Sequence, residues 1–450
     1  MPLRAPVPPE PPRPGLSAAL PLLLAIAVSA ALWGADGANA RRRAEDGRMS
    51  VTDASAAILP DGAVNGAAGT GSKGTAGASG TDGPSASAVP DRASLLAALE
   101  PETASLADPS SLVPPLAGRR PGAAYTTASG EYDGAPQRVH VLSVDPADPS
   151  MAVRPVLSFD RLFGYETLSV MAERADALAM VNGGFSWLDG RPSGTVLLDG
   201  VFWHGADERF PTLLIGASAA SLEQVSTEVL VHAGDTGLGA ANLNPWPMAP
   251  GISVYTPAYG RTDRVDAARY SVTVSGGVVM QAGQVSGPVD IPSDGFVLAA
   301  DEPAATRIGP LCPPGTRVRW ETRCTPVLPA ETLHGLACGS WLVRGGEPCA
   351  PDADPWVGPL AGPAPRTAVG IGPEGQLVFV VAEGRIAGGP SGLSGKALAR
   401  LLADMGMESA ALLDGGASSE LIVGGSIRSL LSAGRERALP DGFALVVRRR

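Results

Sequence analysis

Lysine and aromatic residues are scarce in this chain of 450 residues. Lysine occurs only at Lys73 and Lys396, and aromatic residues make up 5% of the sequence. Lysine and arginine together number 34 against 45 aspartates and glutamates, which gives a formal net charge of −11. A chain with this balance lacks the basic surface that nucleic acids or an anionic membrane would attract. We therefore predict no nucleic-acid partner.

The cysteine spacing typical of metal sites is also missing. Cys312, Cys324, Cys338 and Cys349 form no CxxC pattern, and His334 is the one histidine that lies among them. The sequence predicts no cofactor and leaves dependence on a divalent cation open. An even count in one region of an exported chain favours two disulfides, and the pairs Cys312–Cys324 and Cys338–Cys349 would close the shortest loops. Four buried thiols are the alternative.

An export signal is present near the N-terminus. Leu16–Trp33 is mostly apolar and uncharged, and Ala38-Asn39-Ala40 has the small residues of a cleavage site. This pattern predicts a signal peptide over residues 1–40. Because Arg41-Arg42-Arg43 is unusual after a cleavage site and the apolar stretch is long enough to span a bilayer, an uncleaved membrane anchor is the alternative. Both predict a secreted or cell-envelope-anchored, extracytoplasmic protein.

Residues 41–122 contain few large side chains. Ala44 to Arg92 consists mainly of Ala, Gly, Ser, Thr and Asp, which cannot bury enough surface to offset the entropy of ordering. We predict a disordered tether, rich in Ala, Gly, Ser and Pro, over residues 41–122 and a folded domain over residues 123–450. A hydrophobic content of 44% is enough for the core of that domain.

The folded region shows both strand and helix patterns. Thr367–Ile371 and Gln376–Val381 are typical of strands, whereas Leu398–Met405 has apolar residues at i, i+3, i+4 and i+7, which predicts an amphipathic helix. Ser394 fits the N-cap of this helix and Gly406 the residue that follows its end. The sequence predicts an α+β fold: a single domain with a large mixed β-sheet and a few packed helices.

Two local patterns give sharper predictions. Pro155 has no backbone N–H, so the strand pattern Ala152–Leu157 should lie at the edge of a sheet. Asp199-Gly200 separates the strand patterns Thr195–Leu198 and Val201–Trp203, which predicts a tight hairpin.

One carboxylate stands in a glycine-rich turn near the C-terminus. The apolar run Ala410–Leu413 stops at Asp414, two glycines and Ala417-Ser418-Ser419 follow, and a second apolar run, Leu421–Val423, leaves the turn. The pattern predicts strand, tight turn, strand. The turn would present a carboxylate, two hydroxyls and backbone amides at one rim. A plain hairpin, in which Asp414 bonds only to its own turn, is the alternative.

Four separated segments fit one family pattern. In this order they resemble the phosphodiester glycosidase family over about Arg138–Arg448, with a helix just before the last segment. The resemblance implies hydrolysis of a glycosyl phosphodiester, in which the anomeric carbon of a sugar is linked to phosphate. The four segments are Val181-Asn182-Gly183-Gly184-Phe185, Pro192-Ser193-Gly194 with Asp199-Gly200, Arg366-Thr367-Ala368-Val369-Gly370-Ile371, and Leu413-Asp414-Gly415-Gly416-Ala417-Ser418-Ser419.

The chain departs from the family pattern at three places. Ser186-Trp187-Leu188-Asp189 follows the first segment, where the family usually continues with Phe and a nearby Asp. Ala417 replaces a third glycine, and Glu383 precedes Gly384-Arg385 where an aspartate is common. These changes leave the substrate more open than the chemistry.

The resemblance implies roles for seven residues. Asp414 and Glu383 would be the catalytic carboxylates, one as acid or base and the other as nucleophile or electrostatic stabiliser of a positively charged sugar. A guanidinium, hydroxyls and turn amides would bind phosphate, an amide would bind a sugar hydroxyl, and an indole would stack on the sugar ring. These substrate-binding residues are Arg366, Ser418, Ser419, Asn182 and Trp187.

Each assignment has a structural alternative. Asp414 would only form the turn, Glu383 would be solvated, and Arg366 would form a surface ion pair. Asn182 would hold a left-handed turn, and Trp187 would pack in the core or at its rim.

The function that we predict from the sequence is that of an exported phosphodiester glycosidase. Its partner would be a carbohydrate phosphodiester in an extracytoplasmic glycan or glycolipid, such as an exopolysaccharide. The alternative is a non-catalytic cell-envelope protein that binds glycans or assists polysaccharide assembly.

Overall fold

The structure, a computed structural model, describes residues 90–115, 121–205 and 209–448. The predicted signal peptide or anchor and the tether up to residue 89 lie outside the described residues. Within the described part of the chain, no helix is long and apolar enough to cross a membrane. The helices there are α1 (Arg92–Ala97), α2 (Leu168–Arg174), α3 (Glu302–Ile308) and α4 (Gly395–Asp404).

Regular structure begins before Ala123, the residue at which we expect the folded domain to start. Helix α1 is capped by Asp91, whose Oδ1 accepts a hydrogen bond of 2.8 Å from the amide of Ser94. A short strand, Glu102–Ser105, pairs in parallel with a strand that starts at Ala123. The described part of the assigned tether is therefore structured, while the three-part division of the chain stays a prediction.

The strands form four main sheets. Sheet one has eight strands in the order β1 (Glu102–Ser105), β2 (Ala123–Tyr132), β3 (Ala135–Val144), β24 (Leu377–Ala382), β23 (Arg366–Ile371), β25 (Ser409–Leu412), β19 (Trp341–Arg344), β20 (Glu347–Pro348). Sheet two has five in the order β27 (Ser426–Ile427), β26 (Leu421–Val423), β6 (Ala179–Asn182), β29 (Asp441–Val447), β4 (Met151–Leu157).

The remaining strands form two further sheets and two short pairs. Sheet three is β10 (Ala220–Gln224), β9 (Pro211–Gly216), β18 (Thr332–Ala337), β7 (Val196–Leu198), β8 (Val201–His204). Sheet four is β15 (Val278–Val285), β14 (Arg269–Ser275), β16 (Gly295–Ala300), β13 (Ile252–Tyr255), β12 (Thr236–Leu243), β11 (Ser226–Ala233), β17 (Val318–Thr325). Two short pairs are β21 (Ala353–Asp354) with β22 (Gly358–Pro359), and β5 (Glu166–Thr167) with β28 (Ala438–Leu439).

Strand β24 explains how sheet one is held in place. Its residues are all buried, and alternate side chains enter two different cores. Phe379 packs in a core with Phe443 of sheet two, while Val380 packs in a core with Leu398 of α4. A strand covered on both faces has a continuous apolar sequence, which matches LVFVVA. Sheet one therefore lies between sheet two and α4.

Several sequence predictions are confirmed. Helix α4 has Ser394 as its N-cap, and Gly406 follows with a φ of +82°. The strand with Pro155 is β4, at the edge of sheet two. Strands β7 and β8 form the predicted hairpin, with left-handed backbone at Asp199 and Gly200. A large mixed sheet is also present, because β1 and β2 are parallel in the otherwise antiparallel sheet one.

The fold is richer in strands than the predicted α+β class suggests. Residues 211–325, where apolar runs are short, form all of sheet four and two of the five strands of sheet three, and sheet four has its own core around Val254, Val272 and Leu298. Antiparallel strands of this kind need few apolar residues each, because a single face is buried. The expectation of one dominant sheet is therefore only partly correct.

The prediction of two disulfides is wrong. All four cysteines are free thiols. Cys312 packs in the core under sheet four, and β17 then runs for eight residues to bring Cys324 to the other end of that sheet. Cys338 is buried in the core between sheets one and two, whereas Cys349 is exposed. Short spacing in sequence therefore does not bring either pair together.

Titration of the denatured, unreduced protein with a thiol reagent should find four free cysteines. In the native protein Cys349 should react first and Cys338 last, because complete burial raises the pKa of the Cys338 thiol to about 12. Cys349→Ser is the matched control and should remove only the fast phase. Fewer than four thiols after denaturation would contradict this assignment.

Candidate active site

The ends of three adjacent strands bring three predicted site residues to one edge of sheet one. Strands β24 and β25 flank β23, and both run antiparallel to it. Their last residues therefore lie at the edge where β23 begins. Glu383 follows β24, Asp414 lies just beyond β25, and Arg366 begins β23 between them. Two strand spacings, about 9.6 Å, separate the backbones of the outer strands.

Sheet two supplies the other side of the site. Asn182 ends β6 and pairs with Gly442, so Asp441, the first residue of β29, lies beside it. The Asp414 turn, which includes a short 3₁₀ segment at Gly416–Ser418, carries the chain from β25 in sheet one to β26 in sheet two. The alternative of a plain hairpin is wrong, because the two strands belong to different sheets.

The side chain of Asn182 fastens this turn. Its Nδ2 donates to the carbonyl oxygen of Asp414 at 2.7 Å, and its Oδ1 accepts from the Thr367 hydroxyl at 2.8 Å and from the Glu420 amide at 3.1 Å. Asn182 is buried in strand conformation, so it does not hold a left-handed turn. Its observed contacts are with protein groups on both sides of the turn.

The Asp414 carboxylate is half-buried. Its Oδ1 accepts from the amide of Gly415 at 2.9 Å. Burial raises the pKa of Asp414, and Ser418, the positive charge of Arg437 and the Gly415 amide offset this only in part. Arg437 was not foreseen from the sequence. A carboxyl group whose pKa is raised in this way can exchange protons nearer neutral pH.

Asp441 is a second carboxyl group, one that the sequence analysis missed. It is 1% exposed, its Oδ1 accepts from the amide of Gly184 at 2.7 Å, and its Oδ2 has no hydrogen-bond partner among the described residues. Burial raises its pKa to about 7, and the charge of Asp414 adds to this effect. A Cβ on Gly183 would lie 2.0 Å from Asp441 Oδ1, which explains the glycine. The available signal was an acidic residue opening a buried strand.

Glu383 lies in a different environment. It is 1% exposed, and its Oε1 lies 2.8 Å from His140 Nε2 and accepts from the amide of Leu430 at 2.8 Å. His140 Nδ1 lies 2.8 Å from the hydroxyl of Tyr125, so an Nε2–H tautomer donates to Glu383 and accepts from Tyr125. Burial raises the pKa of Glu383, but His140 and the Leu430 amide outweigh it, and the net pKa is lowered. The alternative of a solvated Glu383 is wrong.

Two guanidinium groups flank the glycine turn. Arg366 is 3% exposed and donates from Nε to the carbonyl of Leu393 at 3.1 Å, so it is not a surface residue. Arg385 is exposed, and its Nη1 lies 3.7 Å from the position of a Cβ on Gly416. Burial and the charge of Arg385 lower the pKa of Arg366. Neither forms an ion pair with a carboxylate in the part of the chain that the structure describes, so both charges are available to an anion.

The two serines of the turn are buried. Ser419 Oγ lies 3.1 Å from the hydroxyl of Thr367, so this serine belongs to the hydrogen-bond network of Asn182. The amides of Gly416, Ser418 and Ser419 donate to backbone carbonyls. These amides are therefore occupied, and the exposed side chain of Arg385 is the more accessible donor for a phosphate.

Trp187 lies at the rim of an aromatic cluster. Its ring is 48% exposed and meets Trp356 edge to face, with 5.2 Å between ring centroids. Phe185 stacks on Trp356 at 6.4 Å, and the guanidinium of Arg191 lies 5.8 Å from the Trp187 ring centroid. One part of Trp187 is thus fixed by packing while another part faces solvent, as a sugar platform requires.

Part of the chain matches a known protein family. Residues 268–446 match the sequence model of the phosphodiester glycosidase family. The resemblance is confirmed for this span. It contains Arg366, Glu383, Asp414, Ser418 and Ser419, whereas the Asn182 and Trp187 segment lies before it.

A prophage-derived uncharacterized protein of Bacillus subtilis, YomE, is 34% identical over 112 residues, which are 25% of this chain and 17% of the relative. The chain therefore spans about a sixth of the length of this curated relative.

Solved structures share the fold. A hypothetical protein from Synechocystis superposes with a TM-score of 0.61 at 20% identity, over 73% of this chain and 62% of that protein. A Burkholderia pseudomallei protein, provisionally named as exported, gives 0.57 at 23% identity over 70% and 74%. The catalytic domain of zebrafish N-acetylglucosamine-1-phosphodiester alpha-N-acetylglucosaminidase superposes with a TM-score of 0.37 at 15% identity, over 73% of this chain and 83% of that one.

The buried carboxyl groups predict how stability depends on pH. Glu420 is buried, and burial with the charge of Glu436 raises its pKa to about 8. A raised folded-state pKa means that the folded protein binds more protons, so this stabilisation is complete below about pH 4.5 and is lost as the pH rises to about 8. Glu420→Gln should flatten the fall in unfolding free energy across this range, as measured by urea unfolding at several pH values.

The measured quantity is the difference in unfolding free energy between Glu420→Gln and the wild type at each pH. Burial lowers the pKa of His204 and His334, which adds an opposite slope below about pH 6.5 in both proteins. Glu331→Gln, at an exposed position, is the control and should leave the slope unchanged. Parallel curves for Glu420→Gln and wild type would rule out the shift at Glu420.

Proposed function

We propose that the chain is an exported phosphodiester glycosidase that hydrolyses a sugar 1-phosphate linkage in an extracytoplasmic glycan or glycolipid. The observation that carries this proposal is the glycine turn that follows Asp414, in which Gly415 lies beside Arg366 and Gly416 beside Arg385. A carboxyl group with a raised pKa thus begins a turn that is flanked by two arginines without carboxylate partners among the described residues. This combination suits a substrate with an anionic phosphate beside a reacting anomeric carbon.

The reaction needs one water molecule. A bond forms between the water oxygen and the anomeric carbon, and the bond from that carbon to the phosphate oxygen breaks. The electron pair leaves with the phosphate, which becomes a phosphomonoester. Asp414, when ionised, accepts the proton that the water loses. Because phosphate is a good leaving group, electrostatic neutralisation of its charge replaces most of the protonation that an alcohol would need.

Arg366 and Arg385 would bind the phosphate. Arg366 is held rigidly by the carbonyls of Leu393 and Gly362, and Arg385 is free to move at the surface. Arg437, whose charge reaches Asp414, adds a third cation from sheet two's side of the turn. Guanidinium groups can contact two phosphate oxygens at once, which fixes the orientation of the scissile bond.

Glu383 would act on the substrate through its charge, without direct contact. Its lowered pKa keeps it ionised, and its contacts with His140 and Leu430 hold it in the protein interior. We propose that it stabilises the positive charge that develops on the sugar, rather than transferring a proton. Asn182 and Ser419 would fix the turn, and the exposed part of Trp187 would contact a sugar ring.

Replacing Asp414 with asparagine tests the catalytic assignment. The Asn182 contact is made by the backbone of Asp414, so the turn should keep its shape. We expect kcat to fall by about a hundredfold or more, because the proton acceptor is lost. The measurement is release of free sugar from a panel of sugar 1-phosphodiesters. Asp301→Asn, at the cap of α3, is the matched control and should retain activity, since asparagine also caps helices.

If the wild-type chain binds the compounds of the panel but releases no sugar from any of them, the glycan-binding alternative is favoured. In that alternative Trp187 contributes to binding and Asp414 does not. Normal turnover by Asp414→Asn would show that the carboxylate has no catalytic role.

Replacing Arg385 with glutamine tests phosphate binding at an exposed position. We expect KM to rise roughly tenfold, because one charge-assisted contact is lost, while kcat changes less. A substrate whose phosphate is a neutral triester should show no such difference. Arg400→Gln, which removes an exposed arginine paired with Asp133, is the control. Equal losses on charged and neutral substrates would argue against a phosphate contact.

A further inference from the structure

Asp441 lies behind the turn that carries Asp414. The amide of Asp414 donates to the carbonyl of Gly183 at 3.0 Å, and the amide of Gly183 donates to the carbonyl of Asp441 at 3.1 Å. A single residue without a side chain thus separates the two aspartates. A Cβ on Gly183 would collide with Asp441 Oδ1, so the glycine allows the Asp441 carboxyl group to occupy this position.

The Asp441 carboxyl group has too few partners for a permanent charge. Only Oδ1 has a hydrogen bond among the described residues, from the amide of Gly184, and Oδ2 is buried without a partner. Leaving an ionised oxygen buried and unpaired costs several kcal/mol, whereas a protonated carboxyl avoids this cost. Asp148, which is also buried, accepts hydrogen bonds on both oxygens.

The titratable and charged groups around Asp441 come from several elements. Asp414 follows β25 and faces it with a like charge, while Cys338, just after β18, is a buried thiol whose pKa Asp441 helps to raise. Ser418 and the positive charge of Arg437 act on Asp414, whereas no cation among the described residues acts on Asp441.

We propose that the Asp441 carboxyl group, buried behind the turn, is coupled electrostatically to Asp414 and so controls when Asp414 carries a negative charge. This proposal rests on the proposed function of the site, but the pairing can be tested without it. With Asp441 protonated, Asp414 ionises beside Arg437 and accepts the proton of the attacking water. Asp441 acts through Asp414 and does not itself contact the substrate, so it is a positioning residue.

Ionisation of Asp441 would slow the reaction. Once Asp441 also loses its proton, a second negative charge lies near the anionic phosphate, and binding weakens. The pair should titrate in two coupled steps that belong to both residues. We therefore expect kcat/KM of the wild type to fall on the alkaline side of about pH 7.

The first experiment compares pH profiles of kcat/KM for wild type and Asp441→Asn. The amide keeps an acceptor for Gly184 and stays neutral, so the alkaline fall should disappear and activity at pH 9 should exceed that of the wild type by roughly tenfold. Asp263→Asn is the control, because it breaks a buried ion pair with Arg269 in sheet four and should cost stability while leaving the profile intact. An unchanged alkaline limb in Asp441→Asn would overturn the proposal.

The second experiment needs neither activity nor the Asp441 variant. In Asp414→Asn the neighbouring negative charge is gone, so the pKa of Asp441 in the folded protein should fall. The upper end of the pH range over which stability is lost should therefore move down by about one unit, while the lower end, set by the unfolded chain, stays in place. Urea unfolding of Asp414→Asn and wild type from pH 4 to 9 measures this shift. Identical pH ranges would overturn the pairing even if the enzyme is active. A clear shift in a protein without turnover would support the pairing and count against the proposed function.

Discussion

The amide side chain of Asn182 is the contact on which the site depends. It joins three segments, because it bonds to the Asp414 carbonyl, to Thr367 at the start of sheet one's central strand, and to the Glu420 amide before β26. A turn that passes from one sheet to another has no ladder of its own to stabilise it. A buried amide with both ends bonded supplies that stabilisation, whereas an unpaired one would cost free energy. The position of Asp414 thus follows from the fixed ends of two sheets.

The same turn also explains how a strongly acidic chain can present positive charge. Buried acids accumulate on the sheet-two side, at Asp441 and Glu420, where burial favours their neutral forms. The arginines stand at the start of β23 and in the loop after β24, where backbone carbonyls, rather than carboxylates, accept from Arg366. In the part of the chain that the structure describes, Arg366 and Arg385 form no ion pair with a carboxylate, even though the net charge of the chain is −11.

Sequence patterns predicted the parts of the fold that depend on local periodicity. Helix α4, strand β24 and the Asp199-Gly200 hairpin each have a pattern that one element determines by itself. Sheet membership was not predictable, because β25 and β26 are consecutive in sequence, but β25 pairs with β23, about 40 residues earlier, and β26 pairs with β6, more than 200 residues earlier. For the same reason the sequence indicated Asp414 but not Asp441, whose role comes from its distance to Asp414 across two sheets. The prediction of two disulfides was wrong for the same reason, because cysteines that are close in sequence are not close in space.

The contrast among three carboxyl groups shows why residue type alone could not assign their roles. Glu383, Asp414 and Asp441 all lie at strand ends and all lose water on folding. Glu383 gains two donors on Oε1, and these lower its pKa although its Oε2 is buried without a partner among the described residues. Asp441 gains one donor and has a like charge nearby, so its pKa is raised. Asp414 is intermediate, with a nearby cation and a nearby acid. Because these two influences oppose each other, a bound phosphate or a developing positive charge on the sugar can change the protonation state of Asp414. Hydrolysis at an anomeric carbon needs such a group beside the leaving phosphate.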